Sequence, residues 1–153
     1  MERSAINEAL SHLKKGLHLV SKVSDEAGRA ELELDLQAVR GLALAAAQGY
    51  SASDVEQAYE RARFLCYQTG KSAHLFPVLY GLMLFYWCRG NLQSARSIGE
   101  EMLNVAVSSD DRELQLIANS SLGSVNLHIG EYEAAMRYLA AAQTEYDRGG
   151  THH

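Results

Sequence analysis

The run closest to a phosphate-binding loop is Gly70-Lys71-Ser72. Walker-type loops end in these three residues, because backbone amides and the lysine surround the phosphates. Such a loop also needs a glycine five positions before its last one, where this chain has Leu65. It follows a β-strand, whereas the residues before Gly70 have helical spacing. We therefore interpret Gly70 as the exit of one helix and Ser72 as the cap of the next.

Metal-ligating residue types are present, but their spacing is not that of a metal site. Structural zinc sites use four ligands, commonly in closely spaced pairs. Cys66 and Cys88 lie on different predicted helices, and His12 and His18 are six positions apart, which is about 240° around a helix. Buried free cysteines usually act as small apolar side chains. The sequence predicts no metal site and no cofactor.

Nucleophilic and acid–base catalysis have little support in the sequence. Ser11 and Lys14 are three positions apart, a spacing used by some serine enzymes, but they lie on the polar face of an amphipathic stretch. The sequence contains no recognisable Ser/His/Asp group and no isolated acidic pair among apolar residues. We therefore predict a protein that is not an enzyme and has no catalytic residues.

Composition limits the partners that the protein can have. The 153 residues include 14 Lys and Arg against 19 Asp and Glu, which gives a formal net charge of -5 and predicts no nucleic-acid partner. The longest uncharged run, Leu75 to Cys88, has fourteen residues, whereas a membrane-spanning helix needs about twenty. We expect no membrane association. Two cysteines and the lack of an apolar N-terminal stretch predict a cytoplasmic location.

Apolar residues recur at helical spacing along the whole chain. Cap and turn residues divide this pattern into about seven helices, and Ser53 with Glu56 has the form of a capping box that opens the third. The turns are too short to separate domains. We predict one all-α domain over residues 1–148 and a disordered tail over residues 149–153. The tail sequence, Gly-Gly-Thr-His-His, is typical of a purification remnant.

Glycines recur with a period of about forty residues. The turn glycines Gly49, Gly90 and Gly130 lie 41 and 40 positions apart, and the helix-interior glycines Gly41, Gly81 and Gly123 lie 40 and 42 apart. An interior glycine costs a helix about 1 kcal/mol relative to alanine. We expect close packing of antiparallel helices to be the shared cause. Such a period predicts a stack of helical hairpins.

The C-terminal part of the chain resembles the tetratricopeptide repeat most closely. Leu122, Gly123, Ala135, Leu139 and Ala142 follow its order of large and small positions. Asn119 and Asn126 depart from it, because the repeat prefers aromatic residues there. The prediction is a tetratricopeptide-like, right-handed stack of antiparallel helical hairpins, in which the first helix is the second half of an incomplete hairpin.

Three segments give this resemblance a more specific form, namely residues 33–37, 49–63 and 75–82. They are similar to the tetratricopeptide region downstream of the ATPase module in bacterial adenylate/guanylate cyclases and related signalling regulators. The resemblance covers roughly residues 5 to 147 and implies a regulatory helical array without ATPase or cyclase chemistry. A chain that begins within such an array is either an excised fragment or a small free-standing relative.

The candidate binding residues lie on the first helices of the predicted hairpins. Inner helices of hairpin arrays line a concave groove, where aromatic side chains anchor a partner. We predict that a protein or peptide partner binds there, and the candidate residues are Tyr80, Leu84, Trp87, Ser120, Ser124, Leu127 and His128. Val39, Ala43 and Ala46 are their neighbours on the second helix.

Three other interpretations stay open at this point. Tyr80 and Trp87 could fill the core, which the apolar character of their whole helix favours. The terminal helices of an open array could bury each other in a homodimer, which would make the chain a self-association module. A small-ligand-binding domain is the third interpretation, and no group of residues in the sequence supports it.

Overall fold

The computed structural model describes residues 2–149, and all regular structure in that range is helical. The helices are α1 (Glu2–Val20), α2 (Glu26–Gln48), α3 (Ser53–Thr69), α4 (Ser72–Cys88), α5 (Leu92–Ser108), α6 (Arg112–Ile129) and α7 (Tyr132–Gly149). The predicted all-α class and the seven helices are confirmed. Residues 150–153 of the predicted tail lie outside the described residues, and Gly149 belongs to α7. Within the described range, no helix has the length and apolar character required to span a membrane.

The helices form a stack of antiparallel hairpins. Each helix packs against the next one in sequence, and α2 also contacts α4. Short turns make successive helices antiparallel. The hairpins are therefore α2–α3, α4–α5 and α6–α7, with α1 packed on α2. One hydrophobic cluster runs from Ala30 in α2 to Val125 in α6, so the hairpins share a continuous core.

Two helix starts differ from the sequence prediction. Helix α3 begins at Ser53 itself, and Ala52 occupies the cap position with extended dihedrals (φ -72°, ψ 137°) and no side-chain cap hydrogen bond. Helix α4 likewise begins at Ser72, after Lys71 in the cap position. A capping side chain must belong to the non-helical residue before the first turn, so the predicted capping box at Ser53 and Glu56 is wrong.

The predicted turn glycines are confirmed. Gly49, Gly70, Gly90 and Gly130 all have positive φ, between 70° and 91°, which residues with a Cβ rarely adopt. The α5–α6 turn has no glycine, and Asp110 takes the left-handed conformation there with φ of 52°.

The helix-interior glycines make close contacts, but with side chains more than with a facing backbone. A Cβ at Gly41 would lie 2.7 Å from the Tyr59 ring, and a Cβ at Gly81 would overlap the same ring. Gly123 faces Leu139 instead, although a Cβ there would also lie 3.4 Å from the Ala135 carbonyl oxygen. The expected shared cause therefore needs correction, because two of these glycines accommodate one tyrosine of α3.

Candidate functional site

Helix α4 has a partly exposed stripe on a mostly buried surface. Leu79 and Leu82 are fully buried, whereas Tyr80 is 38% exposed. Leu84 and Trp87 are half-buried and pack against the core. Their spacing from Tyr80, four and seven residues, places all three on one helix face. The interpretation that Tyr80 only fills the core is wrong, and for Trp87 it holds in part.

The candidate residues of α6 form a hydrogen-bonded polar stripe that ends in an exposed leucine. The Ser124 hydroxyl donates to the Ser120 carbonyl oxygen at 3.0 Å, and His128 Nδ1 lies 2.8 Å from the Ser124 carbonyl oxygen. Both serines are partly buried. Leu127 is 50% exposed, so its side chain is accessible.

The stripes of α4 and α6 meet at the C-terminal ends of the two helices. The rings of Trp87 and His128 are 5.1 Å apart between centroids and inclined by 66°, an edge-to-face contact. This contact joins the first helices of the second and third hairpins. The structure therefore brings together two candidate residues that are 41 positions apart in the sequence.

The second helix contributes small and exposed apolar residues to the same layer. Val39 is 54% exposed, Ala46 is exposed and Ala43 is half-buried. Leu42 is 59% exposed and was missed by the sequence analysis. The equivalent position 41 residues later is Met83, which is buried. Leu42 stays exposed because, among the described residues, no earlier hairpin packs a first helix against it.

We call the combined surface the first-helix face. It has three equivalent positions in each of α2, α4 and α6, separated by 41 and 40 residues in sequence. Its members are Val39, Ala43, Ala46, Tyr80, Leu84, Trp87, Ser120, Ser124 and Leu127. None of these nine residues is charged. A ligand of this face would therefore be held by apolar contacts and local hydrogen bonds more than by ion pairs.

Arginines on the helix surfaces are paired with acidic residues. Arg61 Nε and Nη2 donate to Glu33 at 2.6 and 2.8 Å, and these hydrogen bonds lower the pKa of Glu33. Arg63 forms a similar two-point contact with Glu101 of α5. Arg96 lies 3.9 Å from Glu100. These three arginines therefore do not form a free basic strip that could attract an anionic partner.

A second group of polar side chains joins α3, α4 and α5. The Tyr86 hydroxyl donates to Glu56 at 3.0 Å and is 3.4 Å from Glu60. Burial, together with these carboxylates, raises the pKa of Tyr86 to about 12. The Tyr67 hydroxyl donates to Glu101, which also accepts from arginine. Each acidic group is thus in contact with donors from a neighbouring helix, an arrangement that stabilises the stack.

The residues considered for metal or nucleotide chemistry remain apart. In residues 2–149 no three His, Cys, Asp or Glu side chains are grouped so that they could hold a metal ion. Cys66 is buried and Cys88 exposed, and burial raises the pKa of the Cys66 thiol to about 11. Gly70 follows helix α3 in a left-handed turn, whereas a phosphate-binding loop follows a strand.

Helix α7 has an exposed apolar stripe whose residues the sequence analysis did not identify as a site. Tyr132, Met136 and Tyr146 are each about two-thirds exposed, and Leu139 is 38% exposed. These residues are spaced by four, three and seven positions, so they lie on one face of the helix. We call them the α7 stripe. The spacing is visible in the sequence, but a buried face has the same spacing.

Comparison with known proteins gives no assignment for this chain. No protein-family model matches it, and no curated protein matches it at a significant level. The resemblance to the tetratricopeptide region of signalling regulators therefore stays a prediction.

Proposed function

We propose that the chain is a non-catalytic protein-interaction module of tetratricopeptide type, which binds an apolar segment of a partner protein on the first-helix face. The exposure of Tyr80 carries this proposal. The neighbouring Leu79 and Leu82 are fully buried, yet Tyr80 is 38% exposed. Partly exposed aromatic side chains in the centre of a surface are frequent anchors of protein interfaces.

The chemistry of the face favours an apolar ligand segment. Val39 and Leu127 are exposed at its two ends, and the nine residues carry no charge. Stacked helices hold such a surface in place before the partner arrives, which lowers the entropic cost of binding. A regulatory role in bacterial signalling rests on the family resemblance alone. The two free thiols support a cytoplasmic location.

Site-specific crosslinking in cells tests the first-helix face. We expect a photoreactive benzoylphenylalanine in place of Tyr80 to crosslink one discrete protein partner. The same residue in place of Phe64, which is 58% exposed on α3, is the matched control and should not capture that partner. Leu127→Glu should lower the Tyr80-position crosslink about tenfold, because it puts a carboxylate into an apolar contact.

Two results would contradict the proposal. One is an identical set of crosslinked proteins from the Tyr80 and Phe64 positions, since this would indicate collision without specific binding. The other is a crosslink at the Tyr80 position that Leu127→Glu leaves unchanged although the variant is folded by circular dichroism.

The α7 stripe favours a second candidate function, self-association. Four large apolar side chains on one exposed helix face form the kind of patch that monomeric proteins usually limit. Two copies packed about a two-fold axis would bury both stripes against each other. Here the chain would act as a homodimerisation module.

Sedimentation velocity at several concentrations tests this candidate. We expect Met136→Arg to weaken dimerisation about tenfold, because the guanidinium would be desolvated without a partner. Gln57→Arg adds the same charge at an exposed position of α3 and should leave the dimer intact. A wild-type protein that sediments as a monomer at every concentration would exclude self-association.

A further inference from the structure

A cleft separate from the first-helix face lies where the second hairpin meets the end of α3 and the start of α6. Its volume is about 740 Å³. The walls come from the end of α3, the start of α4, the second half of α5 and the start of α6. None of the nine residues of the first-helix face lines it. The volume lies within the range of sites that bind small molecules or a few side chains.

The floor of the cleft is apolar. Leu75 and Phe76 of α4 are 6% and 5% exposed, and they line the cleft together with the half-buried Val105 and Leu114. An apolar side chain that enters the cleft would lose its contact with water against these four residues. Such burial favours binding of a leucine- or phenylalanine-sized group.

The charged residues that line the cleft are acidic. They are Glu101 and Asp111 among the described lining residues. Asp111 is exposed, its Oδ1 accepts the Leu114 amide at 3.1 Å, and Asp110 precedes it in the turn. Glu101 is already paired with Arg63, so Asp111 is the lining carboxylate better placed to attract a further cation.

The nearby basic residues of the α3–α4 turn contact another helix. Lys71 Nζ lies 2.8 Å from Glu31 of α2, and His74 Nε2 lies 3.7 Å from Asp35 of α2. At its α6 rim the cleft is lined by Asp111, and no lysine or arginine is among the described lining residues.

We propose that this cleft binds a peptide segment in which an apolar side chain lies next to a lysine or arginine. The apolar side chain packs on Leu75 and Phe76, and the cation lies at the rim beside Asp111. The site is independent of the first-helix face, so it does not require the function proposed above. The chain thus has a second peptide-binding site, and this site prefers a cationic peptide.

Two peptides of opposite charge test the proposal by NMR titration of the ¹⁵N-labelled protein. The first is acetyl-Lys-Leu-Phe-Lys-amide, and the second is the matched peptide with glutamate in place of both lysines. We expect the cationic peptide to shift the amides of Phe76, Val105 and Leu114 in a saturable manner. The acidic peptide should bind at least about tenfold more weakly, because it places like charge beside Asp111.

The substitution Asp111→Asn tests the charge of this residue without removing the helix cap. Asparagine caps a helix as well as aspartate does, so the α6 start is preserved while the charge is lost. We expect the affinity for the cationic peptide to fall about three- to fivefold, the range of an exposed ion pair. The control is Asp25→Asn, the same change at the cap of α2, which should leave the affinity unchanged.

Filling the cleft is the second test. Ser108→Trp should reduce binding more than tenfold, since the indole would occupy the apolar floor. The control is Ser97→Trp, because Ser97 lies three turns earlier on the same helix and outside this cleft. This variant should bind the cationic peptide as the wild type does. The proposal is overturned if both peptides bind equally, if the shifts map to the first-helix face, or if Asp111→Asn has no effect. Absence of saturable shifts with either peptide overturns it as well.

Discussion

Gly81→Ala is expected to lower the free energy of unfolding by about 1–3 kcal/mol, although alanine is the better helix former. A Cβ at this position would overlap the ring of Tyr59 from the preceding hairpin. The ring also packs against Gly41 of α2, where a Cβ would lie only 2.7 Å from it, so it has little room to move towards α2. Tyr59 is 5% exposed, so it has little room to turn outwards.

A double-mutant cycle shows whether the ring is the cause. Tyr59→Leu removes most of the overlap, so Gly81→Ala in that background should cost less than it does in the wild type. Gly16→Ala is the matched control in the interior of α1. Its new Cβ would lie 3.3 Å from the flexible Leu36 Cδ1, and we expect no loss of stability.

Urea unfolding followed by circular dichroism measures all four variants. The assignment of Tyr59 as the obstacle is wrong if Gly81→Ala is as stable as the wild type. It is also wrong if the effects of Gly81→Ala and Tyr59→Leu add without coupling.

The sequence predicted the hairpin stack because its signals are local. Apolar spacing of three and four residues and glycines at the turns depend on the nearest neighbours along the chain. The role of Gly81 could not be predicted in this way, because it depends on Tyr59 from a different hairpin. At the interface of the second and third hairpins the earlier helix supplies the glycine and the later helix supplies the large side chain. Gly99 of α5 makes room there for Leu122 of α6.

The candidate site was only partly predictable for a related reason. Helix α4 is apolar on all sides, so its sequence does not show which stripe the neighbouring hairpins leave uncovered. The exposure of Tyr80 became visible only with α2 and α6 in place. The cleft was even less predictable from the sequence, because its walls come from four helices and from residues between Tyr67 and Leu114.

The departures from the tetratricopeptide pattern have a local explanation. Asn126 is 1% exposed, and its Nδ2 donates to the Leu122 carbonyl oxygen at 2.8 Å. Asn119 makes the same contact to Gln115 at 2.9 Å. Each amide thus hydrogen-bonds to its own helix four residues earlier, so a polar side chain is satisfied in a position where the repeat prefers an aromatic one.

Asn126→Asp is expected to have the largest effect on stability, about 3–5 kcal/mol at pH 7. The change keeps the shape of the side chain but replaces the amide donor with an ionised oxygen that faces the Leu122 carbonyl. The carboxyl group at position 126 is buried without a cation, so burial raises its pKa in the folded state. Asn91→Asp, an equally conservative change at the exposed cap of α5, is the control and should cost almost nothing.

The pH dependence distinguishes a buried carboxylate from a simple packing defect. The unfolded chain has the ordinary aspartate pKa of about 3.9, and the folded-state pKa of the new carboxyl is higher. Below the unfolded value both states are protonated and the electrostatic penalty is absent. The stability difference from the wild type should then grow by about 1.4 kcal/mol per pH unit until the folded-state pKa is reached. Urea unfolding of both proteins between pH 4 and pH 8 measures this difference, and a difference that does not change with pH would show that the cost comes from packing alone.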